Sequence, residues 1–419
     1  MKKVVVAPDS LKGSLSATDF CKAMRVGILR VLPEAEVIAL PLADGGEGTM
    51  DTLVQATNGT RVSVTVSDPL GRAVQAQYGV LGRPDVSSNH ASVNASRNQT
   101  ESKSQSQSQR QPHEECRAMP NKHRPPTVVI ELAQASGLPL LTAEERDPLL
   151  TTTYGTGELI RHALDAGHRD FLLGLGGSAT NDGGAGLLEA LGLRLLDAQG
   201  LPLPRGGAAL ARLHALDTSA LDPRLQQSRF LIASDVQNPL TGPAGASAIF
   251  GPQKGATPAQ VAQLDEALRR FADIVQQHLG TDLCLHTLPG GGAAGGTGAG
   301  LLAFLPCTMR SGIEVVLEAA RFEEHLAHAD LVLTGEGSLD SQTLSGKTIA
   351  GVCRAARRHQ VPVVALCGST ALTGSALDEL GVLAAFSLVP GPCTLDDALQ
   401  HADSWAADRA EQVLRLLRR

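Results

Sequence analysis

Short continuous apolar runs, each ending in a glycine- and carboxylate-bearing loop, recur along the chain. Each reads as a buried parallel strand feeding a loop at its C-terminal end. The first is Val4 to Val6, closing in Ala7, Pro8, Asp9, Ser10, Leu11, Lys12 and Gly13. Ser16 followed by Asp19 is a capping signal for an amphipathic helix that ends near Pro33. A second run, Val37 to Leu40, leads into PLADGGEGTMD. Its glycines delay the next helix to about Thr49 and leave N–H groups at the helix start for an anion. Arg61 to Val66 alternates like a half-exposed strand, Asp68 to Arg72 turns, and Ala73 to Leu81 continues as a strand. Beyond residue 126 the pattern predicts strands from Thr127 to Glu131, at Phe171 to Leu175, from Arg229 to Ala233, from Asp330 to Leu333, from Val361 to Cys367 and from Ala384 to Val389. Helices fall between them, from about Thr156 to Ala166, from Pro258, up to about Ala329 and from about Leu395.

Strands alternating with helices make this an α/β chain, and 419 residues exceed what one core usually serves, so two domains with a cleft between them are expected. One stretch breaks the pattern. From about Arg83 to Pro126 the chain is polar, repetitive and nearly free of apolar residues, a composition that cannot build a core and reads as a disordered insertion between two strands.

Composition narrows the function. A net charge of −7 with no basic stripe argues against nucleic acid as a partner. Seven cysteines, scattered singly, form no zinc or disulfide pattern and point to a reducing cytoplasm. No apolar run reaches the length of a signal peptide or membrane span, so no membrane role is expected.

The candidate chemistry lies in the strand-end loops. The central one, FLLGLGGSATNDGGAG, carries Ser178, Thr180, Asn181 and Asp182 among glycines that leave room for a ligand. Asp9 and Lys12 follow the first strand, Asp44 and Glu47 the second, and Asp235 and Asn238 lie after Ala233. Glu336, Asp340 and Lys347 come together after the Asp330 strand, as carboxylates and an amine do where magnesium and phosphate are held. Gly346-Lys347-Thr348 resembles the end of a phosphate loop, but Ser341 stands where the first glycine of GxxxxGK[ST] belongs. Gly290, Gly292 and Gly295 have the GxGxxG spacing without a preceding strand, so Gly290, Gly291 and Gly292 read as a hinge or nucleotide-facing loop. Arg72, Ser178, Thr180 and Asn181 could supply donors to a substrate carboxylate.

The blocks PDSLKGSLSA, ADGGEGT, GGSATNDGG, SDVQNPLTG, GGGAAGG and TGEGSLDSQT, in this order and almost end to end, resemble the type I glycerate kinase family. Leu11 stands where that family is expected to carry an aromatic residue. The resemblance implies two α/β domains with an interdomain cleft, the second inserted into the first, here 1–69 with 290–419 and 70–289. It also implies ATP, with Mg²⁺, as phosphoryl donor to D-glycerate, giving 2-phosphoglycerate or, alternatively, 3-phosphoglycerate. Asp182 or Asp235 would orient the glycerate hydroxyl, Lys12 and Lys347 would meet phosphate, and Asp9, Asp44 and Glu47 would lie in the same cleft. Which carboxylates hold the metal is left open, as is a homo-oligomer. A nicotinamide-dependent hydroxy-acid oxidoreductase and a non-catalytic sugar-acid sensor are the competing readings; the first needs a strand before the GxGxxG spacing and the second a signalling segment.

Overall fold

The computed structural model describes residues 1–11, 13–46, 48–82, 126–280, 283–340, 343 and 348–418. In chain order its strands are β1 (Lys3–Val6), β2 (Glu36–Ala39), β3 (Thr60–Ser67), β4 (Ala73–Val80), β5 (Val128–Glu131), β6 (Asp170–Gly174), β7 (Arg194–Leu196) and β8 (Ala215–Asp217). They continue with β9 (Arg229–Ala233), β10 (Cys307–Arg310), β11 (Leu331–Thr334), β12 (Ser338–Leu339), β13 (Val363–Cys367), β14 (Ser369–Thr370) and β15 (Ala384–Ser387). Two large sheets result.

The first sheet has the order β15-β13-β11-β1-β2, with every pair parallel. Its chain turns to β2 on one side of β1 and returns to β11 on the other, so the switch point of the winding lies between β1 and β11. In such sheets the crevice for ligands opens there, beyond the strands' C-terminal ends. Val4 and Val6 face the helices Ala17–Val31 and Ala402–Leu417 through Phe20, Met24, Ala406 and Leu414. Ser16 caps the first of these, accepting from the Asp19 N–H, as its spacing predicts. Val5 and Ala7 point the other way, into an apolar layer with Ile349 and Val352 of the helix Thr348–Arg358.

The second sheet has the order β10-β9-β6-β5-β4-β3, parallel from β10 to β5 and antiparallel through β4 and β3. Ile130, Phe171, Leu173, Phe230 and Ile232 pack under the helices Tyr154–Asp165 and Pro258–Leu279. Val129, Leu172 and Ala233, on the opposite face, join the same layer as Val5 and Ile349. One continuous apolar layer therefore serves both sheets.

The sheets exchange chain near residues 57–59 and at 311, whereas the sequence reading set its divisions at 69/70 and 289/290. Both Thr60–Ser67 and Cys307–Arg310 belong to the second sheet. The reason is pairing over distance: β3 is the far arm of a hairpin with β4, and β10 is a strand because β9 offers it an edge. Among the described residues no helix is long and apolar enough to cross a membrane.

The expected disordered insertion, around 83–126, lies outside the described residues except for its last residue. Its ends are described, and they meet: β4 pairs antiparallel with β5, and the Leu81 N–H donates to the Thr127 carbonyl at 2.9 Å. A short turn can span such ends, and loop-closure entropy changes only slowly with length. Replacing 87–122 by a four-residue turn is expected to leave the melting temperature unchanged or slightly raised in a thermal scan. A collapse of the transition would show that the segment packs on the fold.

Candidate active site

Three groups of polar residues gather on the C-terminal edges of the two sheets. The first is at the switch point. Asp9, just past β1, is held by its own N–H on the Gly335 carbonyl at 2.8 Å. Its carboxylate accepts from the Ser10 N–H at 2.6 Å and from the Thr348 hydroxyl at 2.7 Å. Across the strand boundary, Glu336 is buried after β11 and accepts from the Thr343 hydroxyl at 2.5 Å. Asp340 closes the same turn, its N–H reaching Thr343 Oγ1 at 3.3 Å. Asp9 and the Thr348 hydroxyl thus stand at the start of the helix Thr348–Arg358, where backbone N–H groups favour an anion, while Glu336 and Thr343 pair with each other after β11.

The second group joins the sheets. Asp44 lies in the loop after β2, and that loop lies directly on the strand ends of the second sheet. A Cβ added at Gly174 would sit 2.8 Å from the Gly45 carbonyl oxygen, and one at Gly176 would sit 2.6 Å from Gly46 Cα. No residue larger than glycine fits between these backbones. The contact brings Asp44 within electrostatic reach of Asp235 at the end of β9. Burial pushes the Asp235 carboxyl up; the Ser311 hydroxyl beside it opposes this, and the charge of Asp44 adds to it. One oxygen accepts from the Gly312 N–H at 3.1 Å, while Oδ2 and the Ser311 Oγ are both buried with no hydrogen bond of normal geometry. A cavity of about 230 Å³ opens at this carboxylate, lined by Ser234, Gln237, Met309, Arg310, Ser311 and Arg354. Arg354 comes from a first-sheet helix and the others from second-sheet strand ends and loops, so the cavity spans the junction.

The third group is the loop after β6. Asp182 is fully buried, and its oxygens are occupied by protein donors. Thr153 donates its N–H at 2.8 Å and its hydroxyl at 2.9 Å; the N–H groups of Gly186 and Gly184 each donate at 3.2 Å. Burial drives the Asp182 pKa up, and these donors pull against it. This carboxylate fastens the Thr151–Thr153 turn to the glycine loop, a different placement from the open, substrate-facing one expected. Ser178 and Thr180 are held from below by Lys254, whose Nζ donates to Ser178 Oγ at 2.8 Å and to the Thr180 carbonyl at 2.6 Å. Lys254 is itself only 1% exposed, and burial pulls its ammonium down to about 7 against the field of Asp182. Asn181 donates to Ser247 Oγ at 2.9 Å, while Asn181 Oδ1 and Thr180 Oγ1 are buried without partners.

Other expected residues sit elsewhere. Arg72 is half exposed and already bridges Asp68 and Glu145, at 2.6 and 2.5 Å, which engages the guanidinium proposed for a substrate carboxylate. Gly290, Gly291 and Gly292 are buried, and Gly292 donates to the Asn238 carbonyl at 3.0 Å. Gly295, at φ +65°, lies so close to the 180–181 backbone that a Cβ would meet the Thr180 oxygen at 2.0 Å. The GxGxxG spacing therefore answers to packing beneath the Asn181 loop. Asn238 holds its own loop by donating to the Ala244 carbonyl at 2.9 Å. Lys12, Glu47 and Lys347 lie outside the described residues.

Sequence reasoning passed over Lys254 and Glu131. Glu131 ends β5 buried and accepts from the Met50 N–H at 2.7 Å, capping from the second sheet a helix that follows the first. The available signal was a carboxylate ending an otherwise apolar strand, VVIE. Lys254, between two glycines in GPQKG, carries no sign of its inward direction.

The chain resembles known proteins over almost its whole length. The sequence model of the glycerate kinase family matches residues 4–418. A glycerate kinase of Halalkalibacterium halodurans is 44% identical over 99% of this chain and 97% of its own. The glycerate 2-kinase of Escherichia coli is 41% identical over 96% and 94%. A crystal structure assigned to glycerate kinase 2 of Salmonella typhimurium superposes with a TM-score of 0.79, at 44% identity, over 100% of this chain and 98% of that one.

Asparagine at position 182 would turn an NH₂ toward N–H and O–H donors, leaving buried groups unpaired at a cost of about 1–3 kcal/mol. Asp182→Asn is accordingly expected to lower stability by that amount in urea denaturation, whereas Asp235→Asn, which relieves a buried acid, leaves it unchanged or slightly raised. Equal losses in both variants would overturn this division of roles.

Proposed function

The chain belongs to the glycerate kinase family, and from that premise we propose that it transfers the γ-phosphoryl group of ATP to the 2-hydroxyl of D-glycerate, releasing ADP and 2-phosphoglycerate. The observation that carries this reading is the near-complete correspondence, 41% identical, with the Escherichia coli glycerate 2-kinase. Residues 1–59 and 311–418 form one domain in this reading, 60–310 a second inserted into it, and the reaction occurs where their strand-end loops meet.

Phosphoryl transfer asks little covalent chemistry of a protein; it needs the phosphates held, their charge met and the attacking hydroxyl aligned. The switch-point group suits the nucleotide phosphates, with the start of the helix Thr348–Arg358 as anion site and Lys347, next in sequence before it, as cation. Asp9 and Glu336 offer hard oxygen donors that fit Mg²⁺. Among the described residues no three acidic, histidine or cysteine side chains cluster tightly enough to hold a metal by themselves. That suits an ion shared with phosphates more than one caged by protein. When bound, Mg²⁺ neutralises charge on the phosphate oxygens.

Asp235 serves the acceptor. A carboxylate whose pKa is raised by burial is a better proton acceptor than an exposed one, and Asp235 borders the cavity that would take the glycerate hydroxyl. The proton leaves the hydroxyl for Asp235 as the oxygen attacks phosphorus and the bond to the ADP oxygen breaks. Ser178 belongs to the surface that receives the substrate carboxylate.

Phosphorus NMR of the product from ATP and D-glycerate tests the reading directly: 2-phosphoglycerate supports it, and 3-phosphoglycerate or no consumption of ATP overturns it. Asp235→Asn is expected to reduce kcat about 10²- to 10⁴-fold with the fold intact. Near-normal turnover in that variant would remove Asp235 from the chemistry. Chelation with EDTA should abolish activity and added Mg²⁺ or Mn²⁺ restore it; restoration by zinc or iron alone would contradict the donor set.

A further inference from the structure

Burying an ammonium costs several kcal/mol, and a chain gains nothing in stability from it that an apolar residue of similar volume would not supply. Lys254 is nonetheless 1% exposed, at the end of the short turn Pro252–Lys254 that Gly255 closes. Its two short hydrogen bonds both go to the loop after β6, at Ser178 and Thr180, and none goes to its own segment. The nearby buried carboxylate, Asp182, is taken up by Thr153, Gly184 and Gly186. The ammonium is thus directed at the loop rather than neutralised in a closed ion pair.

We propose that Lys254 is a positioning residue for glycerate, acting through Ser178. An ammonium can only donate, so Ser178 Oγ accepts from it and the serine hydroxyl proton is turned away from the lysine, free to meet a substrate oxygen. The same bond polarises the hydroxyl, and a positive charge behind the loop in a low-dielectric interior favours an anionic ligand in front of it. Glycerate, as a carboxylate, favours in turn the protonated form of Lys254. The Ser178 loop also lies against the first domain, through Gly176 on Gly46, which puts this donor at the junction where the acceptor is read to bind. This inference rests on the glycerate reading above and deepens it by naming what sets the acceptor subsite.

The test is steady-state kinetics of Lys254→Met, Ser178→Ala and the double variant, with melting curves. Lys254→Met is expected to raise the KM for D-glycerate about 10- to 100-fold, the loss of one hydrogen bond to a charged group, with the KM for ATP within about twofold. Its melting temperature should stay within a few degrees of the parent's, because loss of the buried charge offsets loss of the donor to the Thr180 carbonyl. Ser178→Ala should give a similar rise, and the double variant should be no worse than the poorer single one, since both remove the same interaction. An unchanged glycerate KM in Lys254→Met, an equal rise for ATP, or effects that multiply in the double variant would overturn the proposal. If Lys254→Met does not fold, Ser178→Ala decides, and a normal glycerate KM there overturns it. Failure of the parent enzyme to phosphorylate D-glycerate removes the functional reading and this inference with it; normal variants beside an active parent remove only the role of Lys254.

Discussion

The loop after β2 lies backbone to backbone on the C-terminal ends of the second sheet, and the arrangement of the site depends on that contact. At Gly174 and Gly176 there is no room for a Cβ, so the two sheets approach more closely than side chains would permit. Beneath the contact, Val5, Val129, Leu172 and Ile349 share one apolar layer. Close-packed interiors of this kind transmit position with little slack. Asp44, Asp235 and Ser178 are consequently set relative to one another by main chain and core, without any direct bond between their side chains.

The polar groups divide by how they are satisfied. Asp182 is saturated with N–H and O–H donors and serves as a fastener among the loops of the second sheet. Asp235, a carboxylate on a similar loop, keeps one oxygen buried and unpaired beside a cavity. Such an atom is costly in a folded chain unless something else is gained, and it is the stronger mark of chemistry. Both groups share burial as the main cause of their raised pKa, so the shift alone does not tell them apart. The hydrogen-bond partners do.

Much of the first sheet was legible because its strands are short continuous apolar runs flanked by loop residues, a pattern with few alternatives. The helix start at Thr49 was legible for a related reason: three glycines precede it, and Gly48 adopts the left-handed conformation that ordinary residues avoid. The strand Cys307–Arg310 was not, since CTMR has no periodicity of its own and becomes extended by pairing with β9. The glycine run after Pro289 was ambiguous by spacing alone. Glycines that permit a nucleotide to approach and glycines that permit a neighbouring backbone to approach look the same in one dimension.

The sequence by itself determined the alternation of strand and helix, the strand-end position of Asp9, Asp44, Asp235 and Glu336, and, through six ordered blocks, the resemblance to a kinase family. These are local properties, written in periodicity, glycine placement and the order of residues. Only the tertiary structure decided that Asp182 is enclosed while Asp235 is left open, that Arg72 is engaged by two carboxylates, and that Lys254 points inward to Ser178. Burial and partnership are set by residues scores of positions away, and nothing in a loop's own composition records which side of it the rest of the chain will cover.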